Sequence, residues 1–281
     1  MREIPVNQVI DLVERLCIEA NSLLGRDIAA SLEEALAHEE SPLGRDILQQ
    51  LLDNAALARQ TGGPMCQDTG VAVVFVEIGE EVHVAGGSLE NAINEGVRRG
   101  YLNGYLRKSV VSDPLFKRKN TGDNTPAVIH YRLVAGDKLR ITVAPKGAGS
   151  ENMSGLKMLK PSDGVEGLKR FVLEIVDSAG SNPCPPIVVG VGVGGTMEKA
   201  ALLAKEALVR PINQRHPDAA VAQLEQELLE LINQLGIGPQ GLGGRFTALA
   251  VNIEIFPTHI ACLPVAVNIN CHCTRHAEGI L

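Results

Sequence analysis

The sequence predicts an α/β protein of mixed α+β type, in which a helical N-terminal segment precedes a mixed sheet flanked by helices. Apolar residues recur at helical spacing over residues 7–60, and short apolar strands alternate with amphipathic helices after residue 70. The chain has 281 residues and 45% hydrophobic content, enough to bury a substantial core. We therefore expect a single domain over residues 1–281, within which residues 1–60 could form a helical subdomain.

Three helices are predicted in the N-terminal segment. The first two follow from apolar residues three or four positions apart, such as Val9, Val13 and Leu16. The third begins at Ser41-Pro42, where a capping residue precedes proline at the first helical position. The segment TGGPMCQDTG then ends the helical pattern, because its glycines and proline favour a loop.

Strands and helices alternate through the rest of the chain. The predicted elements are, in order, a strand in VAVVFVEIG, a helix over 88–107, strands in AVIHYRLV and KLRITVAP, a helix over 162–180, a strand in IVVGVGV, helices over 196–209 and 217–235, and strands in FTALAVNIEIF and ACLPVAVNI. Loops rich in turn formers, such as SDPLFKRKNTGDNTP and KGAGSENMSG, separate them. This order indicates a mixed sheet with helices packed against it.

The composition argues against nucleic-acid and membrane partners. The formal net charge is −7, and no basic stretch is longer than Lys117-Arg118-Lys119. The N-terminus lacks the apolar core and cleavage site of a signal peptide, and no window approaches 18 apolar residues. A cytoplasmic protein is the simplest expectation. Cysteines of such a protein serve metal binding, catalysis or packing more often than disulfides.

Three of the six cysteines lie in loops that could present them to a ligand. Cys66, Cys184 and Cys271 each follow glycine-, proline- or asparagine-rich sequence at the edge of an apolar segment. Cys17 falls on the apolar face of a helix and Cys262 inside an apolar strand, so both are predicted to pack in the core. Spacing alone leaves two interpretations open for the loop cysteines, unrelated thiols or shared metal binding.

The tail NINCHCTRH by itself suggests a local zinc site built from Cys271, His272, Cys273 and His276. Against this, the Cys-x-Cys spacing is narrow for two tetrahedral ligands, and the chain has no paired CxxC motifs. Three loop thiolates fit another arrangement, a [4Fe–4S] cluster with one iron that has no cysteine. Cys271 is then the third cluster ligand, and the other three tail residues have supporting or surface roles.

Other motifs are compatible with more than one role. Asp68 could orient water or substrate beside Cys66, or it could cap the loop backbone. The stretch GVGVGG matches a dinucleotide-binding fingerprint, but Arg210 stands where an acidic ribose ligand is needed. A glycine turn that lets a ligand approach the backbone is the preferred interpretation. His259 could be a buried histidine or an active-site group.

Several motifs occur in a fixed order along the chain: CQDTG, KGAGSEN, NPCPP, GVGVGGTMEKAALLAKEALVRPI, RHP, LGIGPQGLGG and the cysteine-bearing tail. Together they resemble the α subunit of the class I iron–sulfur hydro-lyases, a family that contains fumarate hydratase and L(+)-tartrate dehydratase. The resemblance implies a [4Fe–4S] cluster held by Cys66, Cys184 and Cys271. It also implies that the fourth iron binds the carboxylate and hydroxyl of a small dicarboxylate substrate.

The resemblance further implies the residues that bind substrate. These are Gln67, Asp68, Arg107, Gly149 and His259, of which Asp68 and His259 are the expected catalytic residues. In single-chain members a second domain follows and contributes a catalytic threonine and further cations. This chain ends at Leu281, so we expect a separate β subunit that supplies the general base, in an α2β2 hetero-oligomer.

The loop KGAGSENMSGLKMLKPSDG resembles the fumarase version of this motif. The sequence therefore favours a fumarate hydratase that interconverts fumarate and (S)-malate, with L(+)-tartrate dehydratase as the alternative. Two interpretations of other classes are a non-catalytic iron–sulfur sensor and an NAD-dependent oxidoreductase built on Gly190–Gly195.

Overall fold

The computed structural model describes residues 1–281, which form helices and strands in alternation. The helices are α1 (Val6–Ser22), α2 (Arg26–His38), α3 (Pro42–Thr61), α4 (Leu89–Asn103), α5 (Ala148–Glu151), α6 (Gly164–Ala179), α7 (Met197–Ala207) and α8 (Ala219–Asn233). The strands are β1 (Arg2–Pro5), β2 (Val71–Gly79), β3 (Val82–Ala85), β4 (Val128–Val134), β5 (Leu139–Lys146), β6 (Gly155–Leu159), β7 (Ile187–Gly194), β8 (Ala248–Phe256), β9 (Leu263–Asn270) and β10 (Ala277–Ile280). The mixed α/β class is confirmed.

The long predicted elements are present, and the short strands are the ones that the sequence pattern missed. All three N-terminal helices form, and Ser41 caps α3 by accepting a hydrogen bond from Gly44 N at its hydroxyl, 3.2 Å away. The unpredicted strands are β1, β3, β6 and β10. Each has four or five residues and little apolar alternation, so partner strands define them more than their own sequence does.

The chain divides into two compact units. The terminal unit comprises Met1–Leu24, Asn54–Ala148 and Arg275–Leu281, and the central unit comprises Gly25–Asp53 and Gly149–Thr274. The helical first 60 residues thus contribute to both units. No helix combines the length and the apolar character that crossing a membrane requires.

The terminal unit is built on a four-stranded sheet of order β10-β5-β2-β4. β5 pairs antiparallel with β2 and β10, whereas β2 and β4 run parallel. Helices α1 and α4 pack against each other, and a methyl group at Gly100 of α4 would lie 2.7 Å from Cys17 Cβ of α1. Cys17 is fully buried, and burial, aided by the charge of Glu14, raises its pKa to about 12. Its predicted packing role is confirmed.

The central unit has a second four-stranded sheet, of order β6-β9-β7-β8. β7 pairs parallel with β8 and antiparallel with β9, which in turn pairs antiparallel with β6. Alternate residues of β7 and β9 form one apolar core with α6 and α8, including Val189, Val191 and Val267. Helix α7 contacts the same strands through small residues, among them Ala200 and Ala204 of the helix and Ala266 of β9.

The glycines of GVGVGG accommodate α7. A methyl group at Gly190 would lie 2.2 Å from the carbonyl oxygen of Ala204, and one at Gly192 would lie 2.0 Å from that of Ala200. The backbone of β7 therefore approaches the backbone of α7 more closely than any larger residue allows. The sequence predicted that a ligand approaches this turn. At Gly190 and Gly192, helix α7 occupies that space instead.

Replacing Gly192 with alanine should destabilise the protein by about 3 kcal/mol, because the methyl group would clash with backbone atoms of Ala200 and Ala204, which cannot move aside as a side chain can. Chemical denaturation monitored by circular dichroism measures the loss. Gly63→Ala is the matched control, since the nearest atom to its methyl group would be the Thr61 hydroxyl at 3.4 Å. Equal stability of the two variants would contradict the close-approach interpretation.

Candidate functional site

The predicted site residues fall into both units. Cys66, Gln67, Asp68 and Arg107 belong to the terminal unit. Gly149, Cys184, His259 and Cys271 belong to the central unit. All of them lie in loops, at loop ends or in the short helix α5, as expected for groups presented to a ligand.

In the terminal unit, two asparagines hold the loop that carries Cys66 at Met65, the residue before this cysteine. Met65 N donates to the carbonyl oxygen of Asn21 at 2.9 Å, and Asn54 Nδ2 donates to the Met65 carbonyl at 2.8 Å. Asn21 is fully buried at the end of α1, and its Oδ1 also accepts from Arg275 Nη1 at 3.2 Å. The N-terminal side of the Cys66 loop is thereby fixed to two helices.

Buried side chains also hold the far end of this loop. Tyr101 is 0% exposed, and its hydroxyl lies 2.7 Å from the Thr69 carbonyl oxygen and 3.1 Å from that of Gly70. Asn124, also buried, donates from Nδ2 to the Gly70 carbonyl at 3.1 Å. Burial raises the pKa of Tyr101, so its hydroxyl keeps its proton and remains a donor.

Asp68 accepts two backbone hydrogen bonds. Its Oδ1 accepts from Gly70 N at 3.0 Å, and its Oδ2 accepts from Ala148 N at 2.8 Å. The first contact is the turn-capping interaction typical of aspartate two residues before a glycine. The second ties the Cys66 loop to the start of the KGAGSEN segment. Gln67, between Cys66 and Asp68, is exposed.

Arg107 is brought to the same loop through its main chain. The hydroxyl of Thr69 donates to the Arg107 carbonyl oxygen at 2.9 Å, and Asn124 Oδ1 accepts from Ser109 N at 2.7 Å. The Arg107 side chain is exposed, and its guanidinium forms no ion pair within the chain. An anchored backbone with an exposed cation is suited to binding an anion from solution.

In the central unit, contacts between Cys184 and His272 join the two segments that carry the predicted cysteine ligands. The carbonyl oxygen of Cys184 accepts from His272 N at 3.3 Å and lies 3.2 Å from His272 Nδ1. Thr274 N and Oγ1 both donate to the Cys271 carbonyl at 3.0 Å, so residues 271–274 form a tight turn. Cys184 is exposed and Cys271 half-buried, on two segments that these contacts hold side by side.

A buried carboxylate orders the glycine-rich loop beside these cysteines. Glu39 is 3% exposed, and its oxygens accept from the backbone N–H groups of Glu40, Ser41, Arg245 and Phe246 at 2.9 to 3.1 Å. Burial opposes ionisation of Glu39, but these hydrogen bonds outweigh it, and the pKa is lowered.

The loop that Glu39 fixes contacts the NPCPP segment through Gln240. Gln240 N and Nε2 donate to the Pro185 carbonyl at 2.8 and 2.9 Å, and Nε2 lies 3.4 Å from His272 Nδ1. Gln240 adopts a left-handed backbone conformation, with φ of 52°. It therefore fixes the segment after Cys184, beside the turn after Cys271.

His259 lies in the exposed turn between β8 and β9, not in the core. Ala261 N donates to His259 Nδ1 at 3.1 Å, so in the neutral ring the proton is on Nε2. Gly149, in α5, is exposed, and a methyl group there would lie 3.1 Å from the Asn182 carbonyl oxygen. Cys262 precedes β9 and is half-buried, and Cys273 is 2% exposed.

Five polar residues that fix these loops were not predicted from the sequence: Asn21, Glu39, Tyr101, Asn124 and Gln240. Asn21, Glu39 and Tyr101 sit within or beside helical segments, where a polar residue is usually solvated. The only signal was a polar residue at an apolar helical position, as for Tyr101 in α4 and Asn21 in α1.

Comparison with known proteins decides the family. The sequence model of the protein family described as Fumarate hydratase (Fumerase) matches residues 10–280. The chain belongs to this family. A protein of Methanocaldococcus jannaschii named "Putative L(+)-tartrate dehydratase subunit alpha" is 46% identical over 275 residues, 96% of each chain. The L(+)-tartrate dehydratase subunit alpha of Escherichia coli O157:H7 is 34% identical over 278 residues, 98% of this chain and 91% of that protein.

Membership of the fumarate hydratase family confirms the resemblance to the α subunits of class I hydro-lyases. It makes the chain a lyase subunit, and the family implies an iron–sulfur cluster. It also disfavours the dinucleotide interpretation of GVGVGG, whose glycines pack against α7.

Tyr101→Phe should lower the free energy of unfolding by about 1–3 kcal/mol, because the buried Thr69 carbonyl loses its donor. Amide hydrogen exchange at residues 66–70 should accelerate more than exchange in β4. Tyr131→Phe is the control, because Tyr131 is exposed on β4. Unchanged exchange in the Cys66 loop would show that Tyr101 does not hold it.

Glu39→Gln should lower the free energy of unfolding by about 3 kcal/mol at neutral pH, because an amide NH2 group cannot accept hydrogen bonds from the N–H groups that face it. The ordinary pKa of Glu39 is 4.5 and folding lowers it, so its contribution is complete above that pH. The contribution disappears as the pH falls through the folded pKa. The stability gap between wild type and variant should therefore narrow in acid, and a gap that widens below pH 4.5 would contradict the assignment.

Proposed function

We propose that the chain is the α subunit of an iron–sulfur hydro-lyase that removes water from a 2-hydroxy dicarboxylate, with L(+)-tartrate as the substrate. The names of its relatives carry the choice of substrate. Proteins 46% and 34% identical to it, over 96% and 98% of the chain, are named as L(+)-tartrate dehydratase α subunits. The geometry of the terminal unit supports binding of an anionic substrate.

Fumarate is the second candidate. The description of the matching family, Fumarate hydratase, favours it, and so does the KGAGSENMSG loop. The sequence analysis favoured fumarate over L(+)-tartrate, whereas the names of the relatives favour L(+)-tartrate. Both reactions break a C–O bond next to a carbon that carries a carboxylate, so the same residues serve either one.

The residues present fit the cluster that the family implies. Cys184 and Cys271 are loop thiols joined through the His272–Cys184 hydrogen bond, and soft thiolates are the ligands that iron–sulfur clusters take. We propose that these two hold the cluster together with Cys66. A cluster with one iron lacking a cysteine supplies a Lewis-acid position for a substrate oxygen.

Substrate binding is assigned to Arg107, Gln67 and Gly149. The Arg107 guanidinium has no internal ion pair and can hold a carboxylate through two parallel N–H···O bonds. Gln67 is exposed, and its amide offers both a donor and an acceptor to a substrate hydroxyl. Gly149 has no side chain, so the space beside its backbone stays open for the substrate.

The hydrogen bond at His259 defines what this residue can do. Because Ala261 N donates to Nδ1, the neutral ring presents an N–H group at Nε2. His259 can therefore donate a hydrogen bond to a substrate oxygen as charge builds on it. In its neutral form it is not poised as a base at Nε2.

Asp68 serves as a fixed carboxylate. Two of its lone-pair positions accept from Gly70 N and Ala148 N, and a carboxylate offers about four. The remaining ones can orient a water molecule or a substrate hydroxyl. We place the general base that removes the C–H proton in a β subunit, since relatives of this chain are named as α subunits.

The decisive experiment is anaerobic turnover by the chain produced with its β subunit and supplied with iron and sulfide. Dehydration of L(+)-tartrate gives the enol of oxaloacetate, so oxaloacetate is measured against malate formed from fumarate. A site that hydrogen-bonds the second hydroxyl of tartrate should prefer it by at least roughly 100-fold in kcat/KM. Faster hydration of fumarate would select the second candidate, and turnover of neither by cluster-loaded protein would refute the hydro-lyase assignment.

Matched variants test the residues. Cys184→Ser should abolish the cluster absorbance and turnover, whereas Cys262→Ser should retain both. Arg107→Met should lower kcat/KM by roughly 100-fold through lost carboxylate binding, and Lys108→Met should not. Normal cluster content in Cys184→Ser would exclude Cys184 as a ligand.

A further inference from the structure

The turn after β9 gathers three metal-binding side chains. Ligand atoms of Cys271, His272 and Cys273 all lie within 4.8 Å of one another. Consecutive side chains of an extended strand point to opposite faces. Here the bonds from Thr274 to the Cys271 carbonyl bend the chain and bring the three groups to one side.

We propose that this turn is a mononuclear site for Zn²⁺ that competes with the iron–sulfur cluster for Cys271. Two thiolates and one imidazole form a donor set that zinc accepts, with a water molecule as the fourth ligand. Binding releases the two thiol protons to solvent. The competition rests on the proposed function, whereas zinc binding itself does not.

The size of the group suits zinc after a small local movement. A Zn–S bond of about 2.3 Å in a tetrahedral site separates two sulfur ligands by about 3.8 Å. The ligand atoms, within 4.8 Å in this structure, need to approach by no more than about 1 Å. The turn thus removes the objection that a Cys-x-Cys spacing is too narrow.

His272 has the surroundings of a metal-binding histidine. The Cys184 carbonyl, 3.2 Å from Nδ1, can only accept, so the proton is on Nδ1 and the lone pair on Nε2. A ring nitrogen that donates to a backbone carbonyl is the usual support of a histidine ligand. Gln240 Nε2 is farther from Nδ1, at 3.4 Å, and donates to the Pro185 carbonyl at 2.9 Å.

Burial favours the same assignment. Cys273 is 2% exposed, whereas Cys271 and His272 are half-buried, so solvent reaches the group through Cys271 and His272. An ion can enter there while the Cys273 thiolate is shielded from water. Cys273, which the cluster does not require, thereby acquires a role.

The test uses the full chain, purified anaerobically without metal and titrated with Co²⁺ and then Zn²⁺. One cobalt ion per chain should produce thiolate-to-metal charge-transfer absorption, and zinc should remove it. Cys273→Ser and His272→Ala should each weaken zinc binding on the order of 100-fold. Cys262→Ser, a half-buried cysteine outside the turn, is the matched control and should bind like wild type.

Wild-type affinity in either His272→Ala or Cys273→Ser overturns the site, and the first variant answers the question if the second fails to fold. Cys66→Ser separates the two proposals, because it should lose the cluster and keep zinc. Cys273→Ser should keep the cluster and lose zinc. Zinc-loaded wild type should take up no cluster. Cluster assembly at the normal rate on zinc-loaded chain would overturn the competition alone. If no variant takes a cluster, the zinc titration still decides the zinc site.

Discussion

Tyr101 and Asn124 hold the carbonyl groups of Thr69 and Gly70 where water does not reach. A buried carbonyl without a donor costs free energy, so this loop has one favourable position. Gly70 sits at φ of 71°, and a methyl group there would lie 2.6 Å from the Lys146 backbone. These contacts fix the end of the Cys66 loop that leads into β2.

The central unit uses the same principle with a different group. The Glu39 carboxylate accepts from four backbone N–H groups and fixes the loop that carries Gln240. Gln240 then holds the Pro185 carbonyl. In both units a buried polar side chain orders a loop whose exposed residues are available to a ligand. A hydro-lyase gains from this order, because groups fixed before substrate arrives lose little entropy on binding it.

Five of the six thiols divide into three classes by environment. Cys17 is buried in apolar surroundings and stays protonated, so it only packs. Cys66 and Cys184 are accessible loop thiols. Cys271 and Cys273 share a turn with His272, for which we propose zinc binding, and Cys271 is also a proposed ligand of the cluster.

The sequence by itself determined the long elements, the family and the candidate residues, because apolar periodicity and loop motifs are local properties. Strand β2 appears with the predicted bounds, and α3 begins after the predicted cap at Ser41. Only the tertiary structure decided which residues fix the loops and what GVGVGG is for. Tyr101, Glu39 and Gln240 act on backbone groups distant in sequence, and the glycines of β7 meet α7. The grouping of Cys271, His272 and Cys273 depends on the backbone turn that Thr274 closes, which residue spacing alone does not specify.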